Sequence, residues 1–157
     1  MLTPERRQTY ISTIADFPAT LDTLIAGLTP EQLNTAYLPN EWTVAQNIHH
    51  LADSHLNSFI RFKLILLENH PPVKGYNQDD WARSADYGVP IAASLDILRG
   101  LHARWAALLR SLSDGDWGRT GTHSENGEIS LDDLLLTYHN HCHAHIDQIT
   151  RTLAAGK

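Results

Sequence analysis

Four of the ten histidines in this 157-residue chain fall within seven positions, at His139, His141, His143 and His145. Imidazole is a ligand that suits zinc, nickel and other borderline metals. Alternate spacing suggests a strand, but the flanking residues argue for a helix. Ser130 is a good N-cap, Asp132 and Asp133 sit in the first turn, and Arg151 sits near the end. Apolar residues recur at helical spacing through Leu131, Leu134, Leu135, Tyr138, Cys142, Ile146, Ile149 and Leu153. On a helix the histidines form two pairs four residues apart, His139 with His143 and His141 with His145. Either pair has the reach to share one ion. At about 100° per residue, His145 falls inside the apolar stripe and His141 beside it, whereas His143 turns toward solvent and His139 borders the other side. The plain alternative is a set of ordinary helix-surface histidines, and a third histidine from elsewhere in the core would decide against it.

The elements that must position these residues are read from the rest of the chain. Its length suits one domain, residues 1–157, with a sizeable core. A hydrophobic fraction of 42% and a charged fraction of 19% are those of an ordinary globular protein. The net charge of −6 and the lack of any Lys/Arg cluster argue against nucleic acid as a partner. Cys142 is the only cysteine, so no internal disulfide forms, and it reads as a small buried hydrophobe. With no signal peptide and no apolar run of membrane-spanning length, the expectation is a cytoplasmic protein that does not engage membranes.

Thr3-Pro4-Glu5 opens a first long helix reaching about Leu28, with Pro18 inside it expected to kink or split it. A short helix starts at Thr29-Pro30-Glu31. Thr43 caps a second long helix that runs to about Asn69 and carries one polar row: Gln46, His50, Asp53, Asn57 and Arg61. That row is a solvated face or the lining of a polar cavity. His55 sits in the middle of the apolar stripe and reads as a packed core histidine. Residues 70–90 form a long connection with Tyr76, Asp79, Asp80, Trp81 and Tyr87, which suits a lid over a pocket or simple packing. A third long helix spans about Ile91–Leu112, and Asn126-Gly127 marks a small β-hairpin before the fourth. The fold class expected is all-α, a four-helix bundle, an architecture that places metal sites in its core from facing helices.

With these residues in view, the sequence resembles the DinB-like family in its YfiT/bacillithiol S-transferase branch. The resemblance is carried by Glu41-Trp42-Thr43-Val44, by His49-His50-Leu51-Ala52-Asp53-Ser54-His55, and by Asn57-Ser58 and Ile60-Arg61-Phe62-Lys63-Leu64. In the last helix, Tyr138, His141, His145, Gln148 and Ile149 fit the family's register. The resemblance implies a four-helix bundle, often a homodimer, with metal ligands at His50, His141 and His145 and with zinc or nickel keeping water in open positions. His139/His143 offers a rival register, although Ile146 and Asp147 then stand in the wrong order. The N-terminus is shorter than in some members. A ligand at His50 would turn the polar row toward the cavity. Asp53 would then lie beside the metal as a supporting group or base, and Arg61 would be placed to hold a substrate carboxylate.

Three neutral imidazoles leave a divalent ion with open positions, an arrangement for catalysis rather than structure. The first expectation is a thiol S-transferase, in which a low-molecular-weight thiol is activated at the metal and joined to an electrophilic small molecule. The second is a hydrolase using a metal-bound water, although no HExxH glutamate is present to act as its base. The third is a non-catalytic bundle that binds a metal or a small ligand.

Overall fold

The computed structural model describes residues 1–156. Lys157, the last residue of the expected single domain, lies outside the described residues. Four long helices make the bundle: α1 (Pro4–Ile25), α3 (Val44–Leu67), α5 (Ala92–Arg110) and α6 (Leu131–Ala155). Two short helices, α2 (Pro30–Asn34) and α4 (Gln78–Trp81), sit in the connections. Each long helix starts where local chemistry favours it. Thr43 accepts from the Gln46 N–H while the Gln46 side chain accepts from the Thr43 N–H, which closes a capping box at α3. Ser130 and Asp133 do the same at α6. Thr3 caps α1 with Pro4 at its first position.

The apolar stripes meet in one core. Ile14 and Leu21 of α1 and Ile48, Leu51, Phe62 and Ile65 of α3 are fully buried there. So are Leu98, Trp105 and Leu109 of α5, and Leu131, Leu135 and Ile149 of α6. α1 and α3 each pack against both α5 and α6. Pro18 does not split α1, which is continuous from Pro4 to Ile25. Packing on both neighbours holds the helix together through the one missing backbone bond. Pro18 has no N–H to return to the carbonyl four residues back, which belongs to Ile14.

The hairpin forms as β2 (Thr120–His123) and β3 (Gly127–Ser130), with Gly127 at φ +71°, a conformation that favours glycine. It does not stand alone. A two-residue strand, β1 (Pro72–Val73), pairs parallel with β2 and makes a three-stranded sheet. Pro71 and Pro72 have no N–H, so β1 serves mainly as an acceptor: the Pro71 and Val73 carbonyls take the Thr122 and Ser124 N–H groups. The sheet pins the start of the 68–91 connection against the end of the hairpin. Among the described residues, no helix is long and apolar enough to cross a membrane.

The start of α1 and the start of α6 are tied by a buried ion pair. The Arg7 guanidinium donates to both Asp132 oxygens at 2.8 and 2.9 Å, and the Leu2 N–H donates to the same carboxylate at 2.8 Å. Asp132 thus does more than complement the α6 dipole. Asp132→Ala should destabilise the fold by about 3 kcal/mol, because it leaves the buried guanidinium with only the exposed Asp114 carboxylate, 3.6 Å away, to face it. Urea unfolding of the two proteins checks this, and a change below about 1 kcal/mol would contradict the assignment.

Candidate metal centre

His50 comes from the second turn of α3, whose N-terminus is fixed by the Thr43 capping box. His141 and His145 come from the middle of α6, one helical turn apart. The structure brings these three together: one ring nitrogen from each lies within 4.8 Å of the others. The rival pair does not converge on them. His139 stacks on Tyr10 with ring centroids 4.0 Å apart, and its Nδ1 bonds the Thr13 hydroxyl on α1. His143 is exposed on the same side.

The ring nitrogens that face away from the cluster are mostly engaged. His145 Nδ1 lies 2.7 Å from Asn47 Oδ1. The Asn47 amide N–H₂ donates to the Trp42 and Thr43 carbonyls, so its oxygen must be the acceptor toward His145. His145 therefore carries its hydrogen on Nδ1 and presents an Nε2 lone pair to the cluster. His141 Nδ1 bonds His55 Nε2 at 3.0 Å, and His55 Nδ1 bonds His102 Nε2 at 2.7 Å. Among the described residues, His50 Nδ1 is buried without a partner. Trp42 lies over the rings, with centroids 4.7 Å from His50 and 6.5 Å from His145, and screens them from bulk water.

Burial controls the protonation of these groups. It pushes His50, His102 and His145 down to about 4, with the neighbouring His145 adding to the effect on His50. Burial also lowers His55 and His141 well below the usual imidazole range, and the neighbouring rings reinforce it. All five are neutral at pH 7, the state a ligand requires. The donor set fits a divalent ion. Two nitrogens bound to one zinc at about 2.0–2.1 Å and a tetrahedral angle stand about 3.3–3.4 Å apart. His50 Nε2 and His141 Nε2 stand 3.3 Å apart. Three protein ligands leave at least one position open.

Two recesses adjoin the cluster. The larger, about 380 Å³, is lined by His141, His145, Trp42, Glu41, Asp79 and Gln148, among others. The smaller, about 190 Å³, is lined by His50, His141, Arg61, Tyr76, His123 and Glu125, among others. His141 and Gln78 border both.

The polar row on α3 is not a solvated face, because the 68–91 connection covers it. Its members have different roles. Gln46 is spent in the cap. Asp53 accepts a 2.9 Å bond from the Tyr87 hydroxyl and lines neither recess. Burial raises the Asp53 carboxyl, with the Tyr87 hydrogen bond acting against the shift. Asn57 bonds the Asp53 carbonyl. Arg61 does reach the smaller recess, where Nε and one terminal nitrogen donate to the Lys74 carbonyl at 3.1 and 2.6 Å. Those bonds fix the guanidinium plane and leave its remaining N–H groups for a guest. His123, on β2, accepts the Glu125 N–H at Nδ1, so its Nε2 carries the hydrogen. Cys142 is buried and its thiol is pushed up by burial, which makes it a packing residue and no nucleophile.

Sequence reasoning missed His102, His123 and Glu125 as parts of this region, and it read His55 as packing alone. One signal was present for His102. It shares the inward spacing of Leu98, Leu101, Trp105 and Leu109, where a histidine needs partners.

Comparison with known proteins settles the family. The model of the DinB superfamily matches residues 14–149. The chain belongs to the DinB superfamily. A relative from Oceanobacillus iheyensis, named "Putative metal-dependent hydrolase", is 44% identical over 141 residues, covering 90% of this chain and 82% of its own. Relatives of the same name from Bacillus cereus and Bacillus thuringiensis are 42% identical over 149 residues, 95% of this chain and 86% of theirs. YfiT from Bacillus subtilis, described as a probable metal-dependent hydrolase with an unusual four-helix bundle topology, superposes with a TM-score of 0.92 at 38% identity. The match covers 97% of this chain and 88% of YfiT. The DinB-like four-helix-bundle expectation for the fold is thus correct, and the expected hairpin is extended by β1 into a three-stranded sheet.

The buried imidazoles set a pH dependence for this DinB-superfamily bundle. Unfolded imidazoles titrate near about 6.5, above their folded values. Between pH 6.5 and 4 the unfolded chain binds more protons, so stability is full above that window and falls as pH drops through it. A fall from 6.5 to about 4 is worth roughly 3 kcal/mol for each of His50, His102 and His145 at pH 4. Together they rival the whole stability of an ordinary domain, about 5–15 kcal/mol. The metal-free chain should lose stability steadily below pH 6.5 and unfold before pH 4. Urea midpoints that stay level from pH 7 to 4.5 would contradict this.

Proposed function

We propose that the chain is a metal-dependent thiol S-transferase, with His50, His141 and His145 holding zinc or nickel. It would join a low-molecular-weight thiol to an electrophilic small molecule. The observation that carries this reading is the pair of recesses meeting at one histidine cluster, since a transfer between two molecules needs two bound guests within reach of one centre. A divalent ion held by the three imidazoles supplies a Lewis acid that lowers the pKa of a bound thiol.

The chain's own residues do the rest. The three imidazoles stay neutral because they are buried, so their lone pairs are available near pH 7. Trp42 and the α4 segment cover the cluster and limit water, which would otherwise compete for the electrophile. Arg61 and His123 present N–H donors in the smaller recess and favour a guest with an anionic group there. A bidentate carboxylate is the geometry that guanidinium suits best. With the thiol of Cys142 buried, the nucleophilic thiol comes from outside. Asp53, held by Tyr87, shapes the wall from behind and has no direct route to either guest.

Hydrolysis of a small molecule by a metal-bound water is the second reading. It is favoured by the names of the relatives and by Glu41. The Glu41 carboxylate lines the larger recess, with one oxygen bonded to Arg151 and the other buried without a partner. Its carboxylate is the base that would take a proton in that reading.

Metal content per chain, measured by plasma mass spectrometry on protein purified without an affinity tag, tests the site. About one equivalent is expected in wild type and in His143→Ala, with loss in His50→Ala and His141→Ala. No metal in wild type after reconstitution would overturn both enzyme readings. The reaction is separated by following thiol consumption against ester hydrolysis. Ester hydrolysis without thiol that is abolished in Glu41→Gln favours hydrolysis, and thiol-dependent turnover retained in that variant favours transfer. Arg61→Gln should raise KM for a carboxylate-bearing guest by about tenfold or more and leave metal content unchanged, as expected for loss of a charge-assisted hydrogen bond.

A further inference from the structure

Pro18 leaves the Ile14 carbonyl without its helical N–H, and the group that takes that place is His102, whose Nδ1 lies 2.5 Å from the Ile14 oxygen. A carbonyl only accepts, so His102 carries its hydrogen on Nδ1. Neutral His102 then has a bare Nε2, which can only accept from His55 Nδ1 at 2.7 Å. His55, neutral in turn, has a bare Nε2 and can only accept from His141 Nδ1 at 3.0 Å. His141 is left with its Nε2 lone pair facing His50 and the cluster. The direction of every bond follows from the first acceptor. His55 and His102 have no exposed surface, so water offers neither ring an alternative partner. Phe17 packs on both, with centroids 5.3 Å from His55 and 5.4 Å from His102. Trp105 and Tyr138 enclose His55 edge-on.

We propose that His55 and His102, anchored on the carbonyl that Pro18 frees, are positioning residues that lock His141 in its Nδ1–H tautomer and aim its Nε2 at the metal. A ligating histidine ordinarily gives its outer N–H to a carboxylate, a carbonyl or water. Here the carbonyl lies two imidazoles away, and the polarity is handed along the chain of rings from α1 through α5 and α3 to α6. The inference rests on the reading of the triad as a metal site for its purpose, although the tautomer itself is a property of the metal-free chain.

Two measurements test it together. In metal-free wild type at pH 7.5, long-range ¹H–¹⁵N correlation of the imidazoles should show hydrogen on Nδ1 for His141, His55 and His102. His102→Leu removes the acceptor for His55. It should release His141 into a mixture of tautomers and weaken zinc binding, titrated against a metallochromic competitor, by about 10- to 100-fold. His102→Gln can accept from His55 through Oε1 and donate to Ile14 through Nε2, so it should recover most of the affinity and the Nδ1–H tautomer. Hydrogen on Nε2 of His141 in wild type overturns the proposal. So does a His102→Gln variant that is folded but binds zinc as weakly as His102→Leu, because the effect is then one of packing. If wild type binds no zinc, the metal reading fails, and the tautomer spectrum still decides the relay.

Discussion

A buried ring nitrogen without a partner is costly, and this bundle buries histidines from three of its four long helices. That constraint organises the interior. An unpaired polar group out of water costs about 1–3 kcal/mol in proteins, so a ring bonded on its outer side is the one best set to offer a lone pair on its inner side. The solutions differ for each ligand. His145 uses Asn47, an amide whose own hydrogens are spent on the N-terminal turn of α3. His141 uses His55 and, through it, His102 and Ile14. His50 Nδ1 has no partner among the described residues. The three inner nitrogens then face one another, which is unfavourable for lone pairs alone and favourable around a cation. The site is thus a place where local satisfaction is incomplete until something positive is added.

The same constraint explains details that otherwise look like local irregularities. A proline in the middle of α1 loses one backbone bond and is normally disfavoured there. In this chain the carbonyl that it frees has a use, because α5 brings an imidazole N–H to it. The Trp105 ring closes the space around His55 and His102, so the relay runs through a hydrophobic wall. The long connection supplies the other half of the site. Pro71 and Val73 anchor it to the hairpin, Lys74 presents a carbonyl to Arg61, and Tyr87 holds Asp53. A segment that looks irregular by composition is fixed along its length by hydrogen bonds to long helices and to the hairpin, those of Val89 to His49 and of Gly75 to Ser124 among them.

Much of the architecture was legible in the chain because its signals are local. Capping residues at Thr3, Thr43 and Ser130, apolar spacing along four helices and Asn126-Gly127 each depend on neighbours within one turn or one loop. The angle to the apolar stripe leaned toward His141/His145 and the family resemblance implied that pair; in the structure His141 and His145 converge with His50, whereas His139 packs against Tyr10. What was not legible depends on partners far along the sequence. His55 lies 47 residues from His102, and His102 lies 88 from Ile14. A histidine on an apolar face looks the same whether it is packed or hydrogen-bonded. Asp53 misled for the same reason. It lies one turn from His50, but a tyrosine 34 residues away turns it from the centre. The short strand at Pro72–Val73 carries almost no strand signal, since it is formed by what the hairpin offers it.

The relay also bears on how the centre would work. An imidazole whose outer N–H is given to a strong acceptor becomes a better donor through its inner nitrogen. A carboxylate in that place would add a negative charge to the core and offset part of the ion's charge. A chain of neutral rings ending on a carbonyl orients the ligand and adds no charge. The ion would therefore keep nearly its full +2 toward whatever occupies the open position, since all three ligands are neutral as well. Such a centre suits the ionisation of a weak acid, a thiol or water, near pH 7. Substitution of a charged partner into the relay would be expected to soften that acidity even where metal is retained. The choice between thiol and water then falls to the two recesses, where Arg61 and His123 in one and Glu41 in the other decide what is held beside the centre.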